Sequence, residues 1–175
     1  MTWRHVRYAS LSAGLVALVG FLVGLADPAY YDPVKFIDWV SAALNTLGPL
    51  AAAWALFVWW KVTTVRRGAF LILAASAAAA TFGLGNMFED ILDLDWGFLL
   101  FGIGGIAVVL FAALAGILAL TVDSKLRWTG LFLMGVAAGP ALDSALVWVI
   151  VWIAFAAIPW QTYAGTQGTT QAQAG

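Results

Sequence analysis

Residues 97–122 read GFLLFGIGGIAVVLFAALAGILALTV, twenty-six positions without one charged side chain. A helix needs ~20 mostly apolar residues to cross ~30 Å of hydrocarbon, so this stretch alone predicts a membrane span. Four more runs match it: 9–26, 36–60, 69–88 and 128–158. They are continuously apolar and rich in Ala and Leu rather than alternating, which argues for helices over the strands of a barrel. The expected fold is therefore all-α, an integral membrane bundle of five transmembrane helices. It forms a single domain over residues 1–160, followed by a polar, uncharged, disordered tail at 161–175.

Composition leads to the same class. The 175 residues are 63% hydrophobic and 10% charged, whereas a soluble domain is about half apolar and a quarter charged. A chain this size cannot hide so much apolar surface in one soluble core.

The few charges sort by side. Arg4, Arg7, Lys61, Arg66, Arg67, Lys125 and Arg127 fall in the N-terminal stub and the second and fourth connections, with Asp123 the one acid among them. Asp27, Asp32, Asp38, Glu89, Asp90, Asp93 and Asp95 fall at the other ends of the runs, with Lys35 the one base. Short loops rich in Lys and Arg stay in the cytoplasm, so the N-terminus is expected inside and the C-terminus extracytoplasmic. Tryptophan prefers the headgroup level. Trp3, Trp59, Trp60 and Trp128 fit the inner boundary, and Trp39, Trp96 and Trp160 the outer one. Trp54, Trp148 and Trp152 lie deeper. The first run has the basic flank of a signal peptide, and Gly24-Leu25-Ala26 offers small residues for cleavage, but its apolar stretch is long and reads as a retained anchor. Thin loops and no organelle-targeting feature suit the plasma (inner) membrane of a prokaryote.

Several activities lack the residues they require. The chain has no cysteine and one histidine, His5 in the charged stub. Thiolate chemistry and imidazole-built haem, copper or zinc sites are thereby excluded, and no cofactor or metal is expected. A net charge of −1 leaves no footprint for nucleic acid. Serine–histidine catalysis has no embedded histidine, and aspartyl chemistry needs two deep aspartates where one is present. An enzyme is not expected.

Asp143 is that deep aspartate, flanked by Gly139-Pro140-Ala141-Leu142 and Ser144-Ala145-Leu146. Such residues usually face the protein interior or water. No base lies at its depth, and Asn45, Asn86, Thr46 and Thr81 are candidate hydrogen-bond partners. Asn86, Glu89, Asp90 and Asp93 share one face if the third helix continues, and Asp38 and Asn45 are likewise seven apart. Together they outline an outer acidic vestibule that would draw protons or hard cations. The blander reading is a solvated cap that helps to set orientation.

Two Gly-Pro steps, Gly48-Pro49 and Gly139-Pro140, predict kinks. The fifth run, 31 residues at ~1.5 Å each, is long for one crossing, and tilt or a kink must absorb the excess. Small residues recur at contact spacing in Gly20/Gly24, Ala75/Ala79/Gly83, Ala112/Gly116 and Gly135/Gly139. They suit internal packing or the docking of other membrane subunits or a second copy. Two functions follow as expectations. One is a non-catalytic integral membrane subunit packing against a larger complex. The other is a small homo-oligomeric proton or cation transporter or channel, with Asp143 carrying the ion.

Overall fold

The computed structural model describes residues 1–26, 35–62, 69–122, 127–142 and 145–157. Among them the regular structure is helical throughout: α1 (Trp3–Ala26), α2 (Phe36–Val62), α3 (Ala69–Asn86), α4 (Gly97–Val122), α5 (Arg127–Ala141) and α6 (Ala145–Ala157). Four helical segments, Trp3–Ala26, Phe36–Val62, Ala69–Ile91 and Gly97–Thr121, are long and apolar enough to cross a membrane. This is a multi-pass membrane bundle by length and composition.

Successive helices pack side by side, and α6 closes the ring by returning to α1. Glycines set the closest approaches. A Cβ on Gly104 would strike the Phe82 backbone, and one on Gly85 the backbone of Phe101, so α3 and α4 touch main chain to main chain. The small-residue ridges serve this internal packing. Ala75, Ala79 and Ala112 are fully buried, Gly83 lies against Leu50 and the Thr46 carbonyl, and Gly116 against Met134 and the Gly130 carbonyl. Gly24 alone among the ridge glycines faces open space.

The centre of the ring is plugged near one end by rings. Phe132 and Phe155 stack with centroids 3.6 Å apart, and Trp59 and Trp152 pack edge-on or tilted around them. Trp59, expected at the headgroup level, is 2% exposed because it faces this plug.

Three further expectations are corrected. Helix α1 begins at Trp3 rather than residue 9, since Thr2 supplies the first turn: its carbonyl accepts from His5 N (2.9 Å), and its own N–H donates to His5 Nδ1 (3.1 Å). The third helix changes at Met87–Ile91 to a π-turn, with Leu92 N donating to the Met87 carbonyl. The fifth run, expected as one helix over 128–158, is two helices that fold back on each other. A Cβ on Gly135 would meet Val151, one on Gly139 would strike the Trp148 indole, and Phe132 stacks on Phe155. Each pair sums to nearly the same number, as only an antiparallel hairpin allows. In one straight helix Phe132 and Phe155 would stand about 35 Å apart. The end of α6 thus lies at the end of the bundle where α5 begins, not at the opposite end.

Candidate functional site

The polar interior is organised around two prolines. A proline at position i has no N–H for the carbonyl at i−4, which is left without its helical partner. Pro49 in α2 frees the Asn45 carbonyl, and Pro140 in α5 frees that of Val136. Each is met from another helix. Asn86 Nδ2, at the end of α3, donates to the Asn45 carbonyl at 3.1 Å, and Trp148 Nε1, on α6, donates to the Val136 carbonyl at 3.1 Å. Trp148 can lie this close because Gly139 has no side chain in its path. Ser76 Oγ adds a third cross-helix bond, donating to the Ala53 carbonyl at 2.8 Å. Side-chain donors that re-satisfy kinked backbone are what lets membrane helices tolerate proline.

One stripe of α2 is buried or half-buried along its whole length. Positions 38, 41, 45, 48, 52, 55 and 59 recur at three- and four-residue spacing. They read Trp59, Ala55, Ala52, Gly48, Asn45, Ser41, Asp38, from aromatic at the plugged end to polar at the other. Asp38 and Ser41 are 4% and 3% exposed. A Cβ on Gly48 would meet nothing within 4 Å, although the residue is buried, so the helix borders a gap there. Thr46, one turn before Pro49, keeps a buried hydroxyl with no hydrogen-bond partner in the protein. Ser10, Ser12 and Thr81 instead donate to their own helix four residues back.

The expected site residues separate on this frame. Asn45 and Asn86 meet, though through the Asn45 carbonyl and at the service of the kink. Asp38 lies in the first turn of α2: its Oδ2 accepts from Lys35 N at 2.7 Å, the reach-back half of a capping box. Glu89 and Asp90 lie in the π-turn. Asp93 is not on a face with them, because the helix has ended and its φ of 51° is left-handed, a conformation aspartate tolerates better than most residues. The expected i, i+3, i+4, i+7 face therefore does not form. Asp143 lies outside the described residues. Among the described residues, no three of His, Cys, Asp and Glu gather to hold a metal.

Sequence reading placed Trp148 below the headgroup level and missed it as a hydrogen-bond donor. The signal was present: a Gly-Pro step requires a donor for the carbonyl four residues before the proline, and an indole is the apolar side chain able to supply one. No family model, curated protein or solved structure matches the chain, so its site is read from its own residues.

Proposed function

We propose that the chain is a non-catalytic, membrane-embedded subunit that packs against a larger membrane assembly. One observation carries this reading: the buried polar side chains that bond across helices, Asn86, Trp148 and Ser76, are engaged by backbone carbonyls, and so hold helices together. The outer surface is left for lipid and partners. It includes one apolar face along the whole of α4, with Leu99, Ile103, Ile106, Leu110, Leu114 and Ile117 all exposed. By the charge rule the end bearing Arg4, Arg7, Lys61 and Arg127 faces the cytoplasm, in the plasma membrane of a prokaryote. Blue-native electrophoresis after mild solubilisation tests the reading. Co-migration with a defined set of other membrane proteins is expected, and migration as a lone monomer overturns it.

A second reading, proton or cation movement by a homo-oligomer, is favoured by the polar end of the α2 stripe and by the position of Asp143 in sequence, between two helices that reverse direction. Flux into proteoliposomes should then fall at least tenfold in Asp143→Asn. Equal flux in wild type and variant, or none in either, removes that reading.

A further inference from the structure

The α5–α6 hairpin changes how the chain meets the bilayer. At 15 and 13 residues, its arms are about 22 and 20 Å long, too short for a hydrocarbon core of ~30 Å. Its depth follows from its neighbours. Gly116 of α4 lies against Met134, and Leu120 against Gly130, which sets Leu142 about level with Val108. The hairpin therefore stops about 16 Å short of the other end of α4. On α1, Gly14 lies against Trp152 and Ile153, which leaves the hairpin about 7 Å short of Ala26. Its outward side chains are apolar at every turn: Leu131, Met134, Leu146, Ile150 and Ile153 are 37–60% exposed. A surface of that kind belongs in lipid, not in the aqueous phase beneath the bundle. Arg127 and Trp128, at the start of α5, mark the headgroup boundary from which it departs.

We infer that α5 and α6 form a re-entrant hairpin that enters and leaves the bilayer on the side of Arg127. The chain then crosses four times, and residues 157–175 share a compartment with Met1. A polar segment of eighteen residues, 158–175, contains no further span. The purpose of a re-entrant pair is to place a chain reversal inside the membrane, where non-helical backbone is tolerated only against protein or water.

The absence of native cysteine makes introduced thiols the only ones present. A Cβ on Gly135 would stand 3.6 Å from Val151 Cβ, inside the disulfide range, whereas one continuous helix separates the two by about 24 Å. Gly135→Cys/Val151→Cys, oxidised in native membranes, is expected to lose both thiols to maleimide-polyethylene glycol after denaturation, and each single variant to keep its own. Two free thiols in the oxidised double variant overturn the hairpin. Sidedness is read separately with an impermeant maleimide on intact and permeabilised cells. Gly175→Cys reacting on the side of Thr2→Cys, opposite Asp95→Cys, supports four crossings. Gly175→Cys reacting on the side of Asp95→Cys overturns them.

Discussion

Trp148→Phe isolates the bond that closes the Pro140 kink. The substitution keeps an aromatic ring at a site 7% exposed but removes the indole N–H that reaches the Val136 carbonyl at 3.1 Å. That carbonyl has no helical donor, since residue 140 is proline. Interhelical hydrogen bonds in membranes contribute ~0.6 kcal/mol on average and ~1.7 at most, while a buried group left unsatisfied costs ~1–3 kcal/mol. The polar share is therefore about 1–1.5 kcal/mol, on top of packing lost with the smaller ring. A double-mutant cycle separates the two. Pro140→Ala restores an N–H able to donate to the Val136 carbonyl, so in that background Trp148→Phe should cost only the packing. The two costs should differ by about 1 kcal/mol, roughly fivefold in the folding constant, read by SDS titration in micelles with near-ultraviolet circular dichroism. Equal costs in both backgrounds would falsify the assignment of Trp148 as the donor for the proline-freed carbonyl.

The same cycle at the other kink, Asn86→Leu with Pro49→Ala, is expected to give a coupling of similar sign and size, about 1 kcal/mol; independent costs would make the 3.1 Å contact incidental. Gly104→Ala should destabilise by ~1–3 kcal/mol or more, because the new Cβ strikes the Phe82 backbone. Gly48→Ala should instead stabilise by ~0.5–1 kcal/mol, since it fills open space and favours the helix; thermal unfolding that ranks the two the other way contradicts the packing described. Thr46→Val removes a buried hydroxyl without a protein partner and should leave stability unchanged or raise it by up to ~1 kcal/mol. A clear loss would mean that the hydroxyl bonds a buried water.

Hydropathy alone located α2, α3 and α4 within a few residues, because a span is defined by the uninterrupted absence of charge, and that is a local property. It could not reveal direction. The run 128–158 is equally apolar whether it crosses once or turns back, and the difference lies in pairwise fit: Gly135 opposite Val151, Gly139 opposite Trp148, Phe132 opposite Phe155. Two local signs did point to the reversal. The run is about 16 Å too long for one crossing, and Asp143-Ser144, residue types that favour helix starts, stands directly before a fresh apolar run. The acidic face at 86–93 was misjudged for a related reason. Spacing implies a shared face only while the helix persists, and neither the π-turn at Met87–Ile91 nor the left-handed Asp93 alters composition.

The two kinks show why polar residues in such a bundle are ambiguous from sequence. Asn45 and Asn86 look like ion ligands when the chain is read for charge, because amides and carboxylates are scarce in apolar runs. Read for backbone satisfaction, Asn86 serves Pro49, which opens a carbonyl at 45 that lipid cannot serve, and Asn45 contributes only its backbone. The hairpin repeats the solution with a tryptophan in place of the amide. A donor that occurs at both kinks, and differs in chemical type between them, is explained by what the sites share. They share a proline-freed carbonyl, so the kinks account for Asn86 before any transported species is invoked.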